Sequence, residues 1–304
     1  GGDLVLTTNG TGDATVANNA AIDFGASSVG GALSATASAG TITQNGGTLT
    51  VAGTSAFTTS TADQAVTLSN TANALTGAVS LTTSGTAGDV TIDNGTTALG
   101  VQGTVSGNLV LTSGEAITDS AALSVLGTTT VTTDVADKTI TLDSLASTGA
   151  VLLTTSGTTG DVVIDNGTTA LDLGASTISG TLSATSGAAA GIVDSGNIAV
   201  SGDVTLTTDA NNGVINVGTL QQSGGDLVLT TNGTGDATVV NNAAIDFGTS
   251  SVGGALSATV SAGTITQNGG ALSVAGTSAF TSGANAITLS HGSNDFTGAV
   301  SLSN

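Results

Sequence analysis

A glycine-led motif recurs along the whole chain and restricts the folds open to it more than any other feature. Its leading glycine stands at positions 2, 31, 53, 77, 107, 127, 149, 180, 202, 225, 254, 276 and 298. The fourth residue after that glycine is apolar every time: Leu6, Ala35, Phe57, Leu81, Leu111, Val131, Leu153, Ala184, Leu206, Leu229, Ala258, Phe280 and Leu302. The fifth is threonine except at Ser303. Between the glycines, apolar and polar residues alternate in short runs, as in Ala32-Leu33-Ser34-Ala35-Thr36, Thr41-Ile42-Thr43 and Thr48-Leu49-Thr50-Val51. A period of two marks a strand with one buried face. Asn45-Gly46-Gly47, Asn94-Gly95 and Asn166-Gly167 supply turns that tolerate positive φ. Helical spacing is sustained nowhere.

Two longer periods enclose this unit. Residues 1–57 and 224–280 agree at 52 of 57 positions, a superrepeat of 223 residues. The glycine spacings run 29, 22, 24, then 30, 20, 22, then 31, 22, 23, then 29, 22, 22. Each triplet is one long unit followed by two short ones, and triplets start near 2, 77, 149 and 225. The long units share a segment of their own: Thr82-Thr83-Ser84-Gly85-Thr86-Ala87-Gly88-Asp89 returns at Thr154–Asp161. Shorter relatives run from Thr7 to Asp13 and from Thr230 to Asp236.

A unit of this size cannot enclose a core of its own, but it can form one turn of a coil. The sequence therefore predicts an all-β, right-handed parallel β-solenoid of about 13 coils, with roughly three strands per short coil. Residues 1–304 read as a single repetitive segment. Leu4, Leu33, Val79, Leu109, Val151, Leu182, Val204, Leu227, Leu256 and Val300 are expected in one inward column. Ala26–Gly30, Val101–Ser106 and Ala175–Ser179 are expected to widen or decorate every third coil. Stacked at the spacing of hydrogen-bonded strands, the coils predict a rod of about 60 Å.

Composition narrows the partners. Twenty-one acidic residues face one lysine, for a net charge of −20. Nucleic acid and anionic membranes require clustered Lys and Arg, so neither is an expected partner. No apolar run approaches the length of a membrane span. The chain has no cysteine, which removes disulfides and thiolate chemistry. It opens in mid-pattern at Gly1 without an initiator Met, and Gly2 and Leu302 both lie within strand patterns. This reads as a mature fragment whose strand edges are covered by more chain or by head-to-tail stacking of copies.

The segments Gly31-Ala32-Leu33-Ser34-Ala35-Thr36, Ala39 to Gly47 and Leu49 to Gly53 resemble the repeats of filamentous haemagglutinin-like adhesins. These are very large bacterial surface and secreted proteins, many exported by two-partner secretion. The resemblance covers the whole chain and implies a right-handed β-helix at the cell surface or outside the cell. It further implies a structural role as stalk or filament, with glycans of a host surface or matrix as candidate partners. The family's secretion domain and effector segments have no counterpart in this sequence.

Few residues offer chemistry, and no catalytic residue is expected. His291, the lone histidine, aligns with Asn70 of a sister unit and reads as a turn residue. Lys138 aligns with Gln64 and Asn285 and reads as a solvated edge charge. Paired carboxylates hydrolyse glycosides, but Asp89 and Asp93, like Asp161 and Asp165, lie about 13 Å apart along one strand. Asp13, Asp89, Asp161 and Asp236 recur only in long units and are expected three coils, or about 14 Å, apart. Asp203 and Asp226 follow the leading glycines of adjacent coils, and such close carboxylates recruit a cation, here Ca2+, or share a proton. Apart from that cation no cofactor is expected. Thr41–Thr43, Thr139–Thr141 and Thr264–Thr266 raise an ice-binding alternative, against a plain ladder of β-branched residues. Asn9, Asn94, Asn166 and Asn232 head Asn-Gly-Thr sequons, possible glycosylation acceptors in a secreted protein.

Overall fold

The computed structural model describes residues 2–304. The chain is all-β: short strands joined by tight turns, with no helix among the described residues. It is a parallel β-solenoid of about 13 turns, as the glycine period predicts. Two compact units, residues 1–149 and 150–304, carry these turns.

In the first unit Ile22 pairs with Ile42, followed up the stack by Val66, Val90, Leu109 and Thr129. In the second, Leu171 is followed by Ile192, Ile215, Ala237, Leu256, Ser278 and Val300. Successive members of these columns are 19 to 24 residues apart. A turn of that length cannot contain the long glycine spacings, and this overturns the single inward column expected from the sequence.

At a long spacing the motif changes sheet. Val79 is continued upward by Val101, not by Leu109. Leu109 stacks instead on Val90, in the other sheet of the first unit. Leu33, Ser55 and Val79 share one column, whereas Leu109 and Thr129 belong to the other. The second unit repeats the step: Leu182, Val204 and Leu227 share a column, and Leu256, Ser278 and Val300 take the other sheet. The segments expected to decorate every third coil are what makes the step possible. Ser27–Val29, Leu99–Val105, Ser176–Ile178 and Ser250–Val252 are paired strands within the stack. Their alternate residues, such as Val29, Val105, Ile178 and Val252, are buried.

The core consists of columns of small and medium side chains. Its only rings are packed edge to face: Phe24 on Phe57 at 6.4 Å, Phe247 on Phe280 at 6.1 Å, and Phe280 on Phe296 at 6.0 Å. Phe24, Phe57 and Phe247 are fully enclosed. Truncating Phe57 to alanine should cost about 3–5 kcal/mol through lost burial and a residual cavity. Hydrogen exchange should then show lowered protection in the turns on either side. Ser55 has the opposite defect. It lies between Leu33 and Val79, 1% exposed, and its Oγ has no hydrogen-bond partner. Ser55→Ala should raise stability by about 1 kcal/mol, since an unsatisfied buried hydroxyl is itself destabilising; denaturant titration would check the sign.

Candidate functional site

The most elaborate arrangement of polar groups is the corner built by the long-unit segment, and it occurs four times. Thr8, Thr83, Thr155 and Thr231 each donate Oγ1–H to the carbonyl of Gly12, Gly88, Gly160 or Gly235, at 2.6–2.7 Å. The same oxygens accept the backbone N–H of Gly30, Ser106, Ser179 and Gly253 one turn on, at 2.9–3.0 Å. Each hydroxyl thus closes its own loop and fastens it to the next coil.

The aspartate that ends the segment makes a second fastening. Oδ1 of Asp13, Asp89, Asp161 and Asp236 accepts the N–H of Ala32, Asn108, Thr181 and Ala255, at 2.7–2.8 Å. Each of these N–H groups follows a leading glycine. A Cβ on Gly31, Gly107, Gly180 or Gly254 would collide with the same carboxylate oxygen. The backbone of the coil below closes in as well, with Thr11 O at 2.5 Å from a Cβ on Gly31 and Asp89 N at 2.8 Å from one on Gly107, so the unit that follows each long one opens on glycine. The later glycines are held by backbone: a Cβ on Gly53 or Gly77 would meet the carbonyl of the glycine below at 2.7 and 2.6 Å.

Buried amides hold the other corners. Asn94 is 0% exposed; its Oδ1 accepts Leu75 N–H at 2.8 Å, and Nδ2 donates to the carbonyls of Leu75, Thr97 and Ala98. Asn73 and Gln44 form a two-bond amide pair at 2.6 and 2.9 Å, and Asn294 with Gln267 repeats it at the same distances. Buried polar groups need partners, and here each partner is the backbone or an amide of an adjacent coil.

The residues singled out from sequence fall into this scheme. Asp203 Oδ1 accepts the N–H of Asp226 at 2.8 Å, so the two do lie on adjacent coils. Burial, then the charges of Asp246 and Asp203, push the Asp226 carboxyl above its ordinary value. Among the described residues, no three His, Cys, Asp or Glu side chains are arranged to hold a metal. Lys138 is not simply solvated: its Nζ lies 2.8 Å from Glu115 Oε2 across two coils. Both groups are partly exposed, so the pair adds at most about 1 kcal/mol. His291 is exposed and its Nδ1 accepts the N–H of Ser293, as Asn70 Oδ1 accepts that of Ala72. Thr41–Thr43 and Thr139–Thr141 do not share a face, because Ile42 pairs with Ile22 and Ile140 with Ile117 in the other sheet. Two sequon asparagines, Asn94 and Asn166, are fully buried, whereas Asn9 and Asn232 are exposed.

Sequence reasoning missed the inter-coil role of these aspartates and asparagines. A signal was present: Asp13, Asp89, Asp161 and Asp236 each precede a leading glycine by 18 or 19 residues, close to one turn.

Fold and corners together define a repeat β-solenoid protein whose polar side chains join turn to turn. The model of the family described as "Repeats of unknown function (DUF5649)" matches residues 11–82, 87–158, 159–216 and 234–303, and the chain belongs to that family. The four windows start at nearly the spacing of the glycine triplets. No curated protein and no solved structure matches the chain.

Two predictions follow from the corner geometry. Gly107→Ala should cost about 1–3 kcal/mol by overpacking against Asp89. Combined with Asp89→Ala the cost should be less than additive, which a double-mutant cycle measures. The acidic corners also differ in the sign of their pH dependence. Hydrogen bonds from the Thr86 and Ala87 backbone hold the Asp63 carboxyl below its ordinary value. Its stabilisation is therefore present above the unfolded carboxylate range and lost as pH falls through the folded value. Asp226 is raised, so acid favours its folded state and neutral pH penalises it. Asp226→Asn should raise the melting temperature near neutrality, the gain vanishing as pH falls through the carboxylate range; Asp63→Asn should lower it, with the deficit vanishing in acid.

Proposed function

We propose that this chain is a stretch of a long, acidic, extracellular β-solenoid that serves as the rigid stalk of a bacterial adhesin or as a surface filament. The observation that carries this reading is the use of polar side chains. Threonine hydroxyls, aspartates and buried amides at the corners are bonded to the neighbouring coil, leaving no concentration of reactive groups among the described residues. Extension is what such a structure does, because each added turn lengthens the shaft by about 4.8 Å.

The outer faces supply a contact surface. Thr36, Thr58, Thr82 and Thr104 stand side by side in register, on the face opposite buried Ala35, Phe57 and Leu81. An uncharged column of hydroxyls supports contact with surface or matrix glycans rather than with polyanions. No helix among the described residues is long and apolar enough to cross a membrane.

A filament assembled from separate copies is the second reading, supported by turns that within each unit are joined largely by backbone hydrogen bonds. Electron microscopy of the natural protein on intact cells tests the proposal: thin rods projecting from the surface are expected, and a protein recovered only from the cytosol would overturn it. Denaturing electrophoresis of those rods separates the readings. A giant polypeptide supports one continuous chain, and a band near 28.4 kDa supports assembled copies.

A further inference from the structure

An Asn-Gly pair is open to attack by the glycine backbone nitrogen on the preceding side-chain amide, because glycine places no Cβ in the way. The nitrogen bonds to Asn Cγ, ammonia departs with the amide nitrogen, and a five-membered succinimide remains. Water then opens the ring to aspartate or isoaspartate. The chain has seven such pairs, beginning at Asn9, Asn45, Asn94, Asn166, Asn212, Asn232 and Asn268. Reaction needs a side chain free to swing over the next nitrogen, and a nitrogen not held elsewhere.

Most of these pairs are held. Asn94 is buried with both ends of its amide bonded, and Gly95 N–H donates to Asp93 Oδ1 at 2.9 Å. Asn166 is buried as well, with Nδ2 on the Ala170 carbonyl at 2.8 Å and Gly167 N–H on Asp165 Oδ1 at 2.8 Å. Asn212 Oδ1 accepts from the backbone and hydroxyl of Thr234. Asn268 donates Nδ2 to Asp246 Oδ2 at 2.7 Å, and its backbone N–H to Oδ1 of the same carboxylate. Asn9 lies in the first described turn, and its repeat counterpart Asn232 donates Nδ2 to the carbonyls of Thr208 and Asp209.

Asn45 differs from the held pairs; of the other six only Asn9, at the edge of the described residues, is likewise exposed beside an open glycine, Gly10. It is exposed, its backbone N–H is anchored to the Phe24 carbonyl at 3.1 Å, and its side chain extends into solvent without a hydrogen bond. Gly46 has φ +83°, and a Cβ placed on it would meet nothing within 4 Å. We propose that Asn45–Gly46 is a site of spontaneous succinimide formation and conversion to aspartate or isoaspartate, while the buried pairs at Asn94 and Asn166 are protected by the fold. The product adds a negative charge beside the Gln44–Asn73 amide pair, and the isoaspartyl form adds a methylene to the backbone of that corner.

The test is to incubate the folded full chain in mildly alkaline buffer and map peptic peptides by electron-transfer fragmentation, which separates aspartate from isoaspartate. Asn45 should convert about tenfold or more faster than Asn94 and Asn166, whose reaction waits on local opening. In denaturant the three rates should converge. Equal rates in the folded chain, or an intact Asn45 in the folded chain alongside rapid conversion in denaturant, would overturn the proposal. Asp246→Ala should raise the Asn268 rate toward that of Asn45; an unchanged rate would show that tethering does not set the difference.

Discussion

Backbone hydrogen bonding between parallel turns is the constraint on which the rest of this structure depends. A turn of solenoid has no partner for its N–H and C=O groups except the turns above and below, and buried polar groups left unpaired are costly. Strands satisfy that demand by themselves. Corners do not, since the chain changes direction there and the regular ladder breaks. The corners of this protein are accordingly where its aspartates, asparagines and buried threonines gather.

This accounts for the unusual composition. The acidity reads first as a surface property, yet many of the aspartates accept backbone N–H groups from the coil beside them, as Asp63 does from Thr86 and Ala87 and Asp119 does from Asp143 and Ser144. Aspartate suits a corner because it is short and an acceptor only. The single lysine is tied to Glu115. Glycine has the matching role. From Gly31 onward the leading glycines stand where the neighbouring coil's carboxylate or backbone occupies the space of a side chain.

Much of the fold was legible in the sequence, because two-residue alternation and recurring glycines leave few solutions for units this short. Strand identity, parallel stacking and the number of turns all follow from that pattern. The registers did not follow. Glycine spacing equals turn length for the short units and exceeds it for the long ones, where Val79 finds Val101 and Leu109 finds Val90. Nothing local in Gly107-Asn108-Leu109 announces a new sheet; the sign is Asp89, about one turn earlier. The inward Ser55 was legible in position, two residues after its leading glycine as Leu33 and Val79 are, but its polarity hid it among the apolar members of the column. At the candidate sites, alignment with sister units placed His291 correctly as a turn residue. It misjudged Lys138, because the equivalent positions Gln64 and Asn285 have no charge to reveal an ion pair.

The change of sheet at each long unit bears on how such a chain can vary in length. Recombination between near-identical stretches adds or removes residues in whole repeats. Loss of a short unit removes one turn and leaves every later motif on the sheet it already occupied. Loss of a long unit displaces the frame by part of a turn, and the next run of glycines lands on the other side of the coil. Two genes differing only in such a deletion would encode solenoids with similar numbers of turns whose threonine columns lie on different sheets. Which sheet holds a given glycine column is therefore a record of the duplications that built it.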